Sequence, residues 1–274
     1  MSESPPLHIL ITGCSAGGIG SALAEALASR GHHVFATLRN SAKISPALSA
    51  LSNVSVLELD ITSSVSIAAA VETVAKATDG KGLDILVNNA GAGYPMPLLD
   101  VDIDMAKGLF ETNVWGVLAT TKAFMEQLVR TRGTVVNISS VGGEVHTPWI
   151  GIYSASKAAT TMLSETLRLE VAPFGVHVQT VMVGVIKTNF HAEGHRLVLP
   201  PGSRYQAIKD TITKWAAGEA GLRSISAEAF AAQLVKDILS KKSGRIYRGP
   251  SSSAASFCAR YLPQFVLVRL DSAG

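Results

Sequence analysis

The stretch Leu7–Gly31, LHILITGCSAGGIGSALAEALASRG, decides the fold. Leu7–Thr12 is a short apolar run that ends in glycine-rich sequence, the pattern of a strand buried on both faces. Ile19, Leu23 and Leu27 then recur every fourth residue, which predicts a helix ending near Gly31. A strand, a glycine loop and a helix in that order make a place for a phosphate group. Glycine lets the group approach the backbone, and the first helical turn offers unpaired N–H groups at the positive end of its dipole.

The pattern repeats outward from that stretch. His33–Thr37 reads as a second strand, followed by Leu38, Arg39 and Asn40. Val54–Leu59 reads as a third, ending at Asp60, after which Thr62 or Ser63 caps a helix running to about Ala77. Leu83–Val87 is a fourth, ending in Asn88, Asn89, Ala90 and Gly91. A long helix is predicted from about Asp104 to Arg130, then a strand over Gly133–Ile138 that ends at Ser139 and Ser140. The next helix starts near Tyr153 and runs to about Ala172, and Val176–Val181 is a sixth strand. A helix from Ser226 or Glu228 to about Ser240 and a last strand over Gly244–Arg248 complete the series. Strands alternating with helices imply an α/β protein, a doubly wound parallel sheet with helices on both faces. Ligands in such sheets lie at the carboxyl ends of the strands, where Asp60 and the Asn88–Gly91 turn fall.

The chemistry gathers in Ser140–Lys157, SVGGEVHTPWIGIYSASK. Tyr153 and Lys157 are four apart, so on a helix they share a face, and Ser140 precedes the tyrosine by thirteen residues. A phenol alone loses its proton at about pH 10, and a fixed cation close by lowers that value. A phenol tuned towards neutrality can exchange a proton with a carbonyl oxygen. Lowering it by three units takes about 4 kcal/mol, more than one lysine supplies, so a cationic nicotinamide ring is expected to help. Asn113 interrupts the apolar stripe of Leu109 and Val117, and a buried amide must find partners. A π-bulge or kink is expected there, with the asparagine fixing a water next to Lys157. At the end of the second strand there is no acid to grip ribose hydroxyls, but there is Arg39, whose guanidinium suits the extra phosphate of NADP.

TGxxxxGIG, NNAG, the helix asparagine, the serine thirteen before YSASK, and GVIKT together resemble the short-chain dehydrogenase/reductase family. The resemblance spans about residues 7 to 190, in the family's order and spacing. It implies a seven-stranded Rossmann domain, a nicotinamide cofactor and the tetrad Asn113, Ser140, Tyr153 and Lys157. By that resemblance Ser140 hydrogen-bonds the substrate oxygen and Tyr153 donates the proton. Lys157 binds the nicotinamide ribose and lowers the Tyr153 pKa, and Asn113 holds a water linking the lysine to solvent. The cofactor contacts it implies are Gly13, Ser15, Gly18 and Ile19 on the first loop, and Thr37 and Arg39 after the second strand. Asp60 is expected at the adenine edge, Asn89 on the adenosine ribose side, and Ile186 and Thr188 at the nicotinamide carboxamide. Two departures stand out. The glycine loop is one residue longer than the family's, which leaves Gly17 and Gly18 as alternatives for the phosphate-facing place. Val183-Gly184 replaces the usual Pro-Gly, which is expected to loosen or reposition the turn after the sixth strand. ATLRN and the VGVIKTN region resemble most the reductases related to 1-acyldihydroxyacetone-phosphate reductase and 17β-hydroxysteroid dehydrogenase.

The 274 residues, 47% hydrophobic and 16% charged, are expected to form one Rossmann-type domain with ample core. A net charge of +3 without basic runs argues against nucleic acid. Two distant cysteines indicate a reducing compartment, and the location expected is cytoplasmic. No metal-ligand pattern is present among the histidines. A substrate lid is expected at about 189–225, with His191, His195, Arg196, Tyr205 and Trp215, while His146 and Trp149 are candidate pocket walls and Arg196 and Arg204 would suit a phosphate on the substrate. The apolar, basic tail at about 254–274 is expected to pack on a neighbouring subunit in preference to a membrane interface. The resemblance implies a homodimer or homotetramer. The activity expected is NADP(H)-dependent, reversible reduction of a ketone or aldehyde, on a lipophilic or biosynthetic-intermediate substrate. The alternatives are a non-catalytic dinucleotide sensor or scaffold, and an isomerase or epimerase working through a transient ketone.

Overall fold

A computed structural model describes residues 5–188, 190, 197–219, 221 and 223–262. Its strands are β1 (His8–Thr12), β2 (His33–Leu38), β3 (Val54–Glu58), β4 (Ile85–Asn88), β5 (Thr134–Ser140), β6 (His177–Val183), β7 (Ile186–Lys187), β8 (Ile225–Ser226) and β9 (Gly244–Arg248). Its helices are α1 (Ile19–Ala28), α2 (Pro46–Ser49), α3 (Ser64–Ala77), α4 (Ile103–Phe110), α5 (Val117–Thr131), α6 (Gly151–Val171), α7 (Lys209–Ala216), α8 (Ala227–Ile238) and α9 (Ser252–Tyr261). Seven strands form one parallel sheet in the order β3-β2-β1-β4-β5-β6-β9. The chain winds outward from β1 in one direction, then returns to β4 and winds outward in the other. The crevice between β1 and β4 is therefore the switch point of the topology, where such sheets bind ligands.

Alternation along β1 explains its continuous apolar run. Ile9 and Ile11 pack towards Leu23, Leu27 and Phe230 on the α1/α8 side, whereas Leu10 packs towards Val74, Phe124 and Leu128 on the α3/α5 side. With helices on both faces, no position of a central strand can be polar without a partner.

Local signals place the helices. Ser63, not Thr62, caps α3 by accepting from the Ser66 N–H, and Ser226 caps α8 through the Ala229 N–H. α6 begins at Gly151, a turn edge earlier than Tyr153 suggests, because Pro148 and a left-handed Trp149 (φ +66°) end the preceding loop. The long helix is continuous from Ile103 to Thr131 but passes through a π turn at Glu111–Gly116, the irregularity expected around Asn113.

Two features have no counterpart in the sequence reading. β7 and β8 pair through Ile186 with Ile225 and Lys187 with Ser226, so a short ribbon ties together the two ends of the segment expected to be a lid. Residues 252–261 form α9, a helix for which the sequence reading gave no element. Residues 263–274 of the tail, and His191, His195 and Arg196 of the expected lid, lie outside the described residues. Among the described residues no helix is long and apolar enough to cross a membrane.

The glycine loop depends on contacts that admit no side chain. A Cβ on Gly20 would stand 2.4 Å from the Gly13 carbonyl oxygen and 2.6 Å from Asn89 Nδ2. Gly20→Ala is expected to cost about 2 kcal/mol through overpacking, visible as a melting temperature lower by roughly 5 °C. An unchanged melting temperature would mean that the α1–β4 contact is far softer than these distances imply.

Candidate active site

Ser140, Tyr153 and Lys157 meet at the carboxyl end of β5. Ser140 is the last residue of that strand, and its Oγ accepts from the Gly142 N–H at 3.0 Å and faces the Val183 carbonyl at 3.5 Å. The helical spacing of α6 then sets Tyr153 and Lys157 on one face, with Lys157 Nζ 5.8 Å from the centre of the tyrosine ring. Lys157 is buried and its Nζ donates to the Ile138 carbonyl at 2.9 Å. Gly91 lies beside it: a Cβ there would be 3.3 Å from Asn113 Oδ1 and 3.6 Å from Lys157 Nζ. The four residues expected to form the tetrad therefore share one crevice.

Electrostatics differ from the expectation of an acidified phenol. Burial pushes the Tyr153 hydroxyl up from its ordinary value of 10, and its hydrogen bond with Ser140 opposes this only in part. Burial pushes Lys157 down to about 8. Desolvation disfavours each charged form and is the largest cause of both shifts. The consequence is a phenol that stays protonated at neutral pH.

Asn113 makes its own contribution. Its Oδ1 accepts from the Ala92 N–H at 2.8 Å, and its Nδ2 donates to the Ala92 carbonyl and to Ser156 Oγ. What the side chain does here is tie the loop after β4 to α6. Its backbone carbonyl accepts from Thr160 Oγ1 at 2.7 Å.

The residues expected around a dinucleotide divide into two groups. Gly13 takes φ +75° and a Cβ on it would stand 2.8 Å from Ala90 Cα, so only glycine fits between the first loop and the β4 turn. Gly18 is the N-cap of α1, with its N–H bonded to the Ser15 carbonyl, and Ile19 opens the helix. Gly17 takes φ +75° in the turn of that loop. Of the two glycines, Gly18 is therefore the one at the end of the helix. No side chain caps α1 and no acid stands in its first turn, so its positive end is left open to an anion. Arg39 is exposed at the end of β2 and helps hold the Asp60 carboxyl below its usual range, after the larger effect of the Thr62 N–H.

The residues of the second group have contacts within the protein. Thr37 is fully buried and its hydroxyl donates to the Ile11 carbonyl, so it belongs to the sheet interior and not to the crevice surface. Asn89 uses its amide donors on the carbonyls of Thr12 and Gly13, which makes it a clamp on the glycine loop. Ile186 is buried in β7, and Thr188 Oγ1 accepts from the Phe190 N–H. The turn after β6, expected to be looser or differently placed, makes these contacts. Val183 pairs with Ser140 and Arg248 as a strand residue, the Gly184 N–H donates to Arg248, and a Cβ on Gly184 would lie 2.1 Å from the Pro250 carbonyl oxygen. Valine keeps an N–H and lets the strand run one residue further than proline would.

A polar ladder behind the site was missed. Asn88 Nδ2 donates to Asn137 Oδ1, and Asn137 Nδ2 to Ser164 Oγ, each at 2.8 Å, joining β4, β5 and α6. Ser139 Oγ donates to the Lys157 carbonyl and shares a hydrogen bond with Thr161. The signal was present: Ser156, Thr160 and Ser164 recur every fourth residue on α6, and asparagines interrupt two apolar strand runs.

Beside Tyr153 lies an apolar cluster. Tyr94, Met96, Leu109, Leu197, Leu199 and Ile212 form a buried cluster, with Trp149, Ile152, Tyr153 and Tyr205 packed against it. Phe190 meets the Tyr153 ring edge-on at 5.9 Å, and Trp215 meets Trp149 at 6.2 Å. Of the other candidates, His146 and Arg204 are exposed.

A doubly wound sheet with an uncapped helix end at its switch point and a serine–tyrosine–lysine crevice beside it is the arrangement of a dinucleotide-fold oxidoreductase. The family model described as short chain dehydrogenase matches residues 7–196. The chain is 46% identical over 268 residues to the short-chain dehydrogenase ptmH of Penicillium ochrochloron, covering 97% of each protein. It is 40% identical over 185 residues to the NADPH-dependent 1-acyldihydroxyacetone phosphate reductase of Schizosaccharomyces pombe, covering 68% of this chain and 62% of that one. A crystal structure of a short chain dehydrogenase from Burkholderia cenocepacia in complex with NADP superposes with a TM-score of 0.76 at 26% identity, covering 97% of each chain. The protein belongs to the short-chain dehydrogenase/reductase family of oxidoreductases.

Proposed function

We propose that the protein is an NADPH-dependent reductase of a lipophilic ketone or aldehyde, working reversibly. The observation that carries this reading is the convergence of Ser140, Tyr153 and Lys157 beside the switch point of the sheet. Gly13, Gly18 and the open end of α1 fit a pyrophosphate, and Arg39 fits a 2′-phosphate. Bound NADPH supplies the hydride. Ser140 Oγ, already oriented by the Gly142 N–H, donates to the carbonyl oxygen of the substrate. Tyr153, kept protonated by burial, gives that oxygen its proton. Lys157 holds the ribose and stabilises the phenolate left behind, and Asn113 fixes the loop that faces them, beside the expected relay water.

The apolar side chains around Tyr153, Met96, Leu109, Leu197 and Leu199 among them, support a lipophilic substrate. A panel of cyclic, aryl and acyl ketones followed by loss of NADPH absorbance tests this. Turnover of only small, charged carbonyls would contradict it. Cofactor choice has a separate test. Charge-assisted bonds to a phosphate are worth about 1.5–3 kcal/mol, so Arg39→Ala is expected to weaken NADPH roughly 10- to 100-fold. NADH should change less than about twofold, and equal losses would remove Arg39 from the role.

The same proposal includes a cytoplasmic location and a homodimer or homotetramer. Exposed Ile103, Met105 and Trp115 on the first long helix, and Met162 and Leu169 on α6, support subunit contact.

A further inference from the structure

The turn between Ser140 and Tyr153 is anchored by an ion cluster that the proposed reaction does not use. Glu144 lies in that turn, with its side chain only 12% exposed. Its Oε1 accepts from Arg245 Nη1 at 2.7 Å and from the Tyr247 hydroxyl at 3.1 Å. Arg245 and Tyr247 both stand on β9, at the far edge of the sheet. Arg260, near the end of α9, donates Nη2 to the Tyr247 hydroxyl at 2.9 Å, and the same nitrogen lies 3.9 Å from Glu144 Oε1. One carboxylate thus gathers two guanidiniums and a phenol from the last strand and the last described helix. Short, charge-assisted bonds to a mostly buried carboxylate fix geometry more firmly than a surface pair does.

On its other side the turn touches the site through bare backbone. A Cβ on Gly143 would stand 2.8 Å from the Ala158 nitrogen and 2.9 Å from the Lys157 carbonyl carbon. One on Gly142 would stand 3.3 Å from Ser140 Oγ and 3.7 Å from Tyr153 Cε1. The Gly142 N–H orients Ser140, and the Glu144 N–H closes the turn onto the Val141 carbonyl. No side chain cushions these contacts, so a shift of the turn is passed directly to Ser140, Tyr153 and Lys157.

We propose that Glu144 is a positioning residue, the point through which β9 and α9 hold the serine hydroxyl and the tyrosine phenol in register. The inference rests on the reading of the site given above. An ångström of misplacement far from the reacting atoms can cost about 100-fold in rate. Glu144→Ala is therefore expected to lower kcat roughly 30-fold, and Glu144→Gln about fivefold, with the KM for NADPH within about twofold. Arg260→Met, at a half-exposed position, should lower kcat about threefold in the parent protein and hardly at all in the Glu144→Ala background.

The experiment is steady-state kinetics of these full-length variants and of Tyr153→Phe, with NADPH and the best ketone of the panel, alongside NADPH binding by fluorescence quenching. A kcat-selective loss with a non-additive Arg260 effect supports the inference. Full kcat in Glu144→Ala, with Tyr153→Phe inactive, overturns it and leaves the reading of the site standing. Equal losses of kcat and NADPH affinity in Glu144→Ala and Arg260→Met mark a merely structural anchor and overturn it too. Full turnover in Tyr153→Phe overturns the reading of the site itself.

Discussion

Tyr153→Phe is expected to fold, to bind NADPH and to lose about 1,000-fold in turnover, the middle of the range for a positioned general acid. The ring keeps its packing against Phe190, so the fold has little to lose. Only the hydroxyl goes, and with it the proton that the alkoxide must receive. Ser140 retains the Gly142 N–H and remains oriented, so residual turnover reports what hydrogen bonding to the carbonyl achieves without a proton donor. Stopped-flow or steady-state loss of NADPH absorbance measures this directly. A variant with parental turnover would show that the proton comes from elsewhere, and the proposed reduction through Tyr153 would fall.

Lys157→Met is expected to abolish turnover while making the protein more stable near pH 7. The lysine titrates near 10.5 when exposed and at about 8 in the folded protein, with burial as the cause. Between those values the unfolded chain binds more protons, so the stability of the parent rises with pH across that window. Below about 8 the whole penalty of burying the ammonium is present, roughly 3 kcal/mol. Removing the charge relieves that penalty, while the lost bond to the Ile138 carbonyl takes back about 1 kcal/mol. A net gain of about 2 kcal/mol at pH 7 should therefore shrink towards zero as the pH approaches 10. Denaturant titrations at three pH values test it. A Lys157→Met protein less stable than its parent at pH 7 would mean that the buried ammonium is better solvated than its surroundings suggest. The expected result also has a functional reading, since a charge kept at the expense of stability is kept for what it does to ribose and phenol.

Most of the architecture was legible because it is written in periods. Apolar runs on β1, β4 and β5 and fourfold spacing on α1 and α6 are local properties, and each has one physical outcome. The π turn at Asn113 was legible for a different reason. A buried amide on an apolar stripe announces a partner, and the partners are Ala92 and Ser156. What periodicity could not supply was direction at the level of single atoms. Thr37 and Asn89 occupy the places expected of ligand contacts, yet their polar atoms turn to backbone carbonyls of the neighbouring loop and strand. The family of folds can be read from such positions, but the use of each hydroxyl or amide depends on which carbonyl lies nearest.

By itself the sequence determined the order of strands and helices, the switch point beside the glycine loop, and the pairing of Tyr153 with Lys157 on one helical face. These follow from spacing along one chain. Only the tertiary structure decided that Gly18 caps α1, that Val183 continues its strand, and that Glu144 is gripped from β9 and α9. It also decided the sign of the Tyr153 shift, because desolvation depends on everything packed around a group and not on its neighbours in sequence.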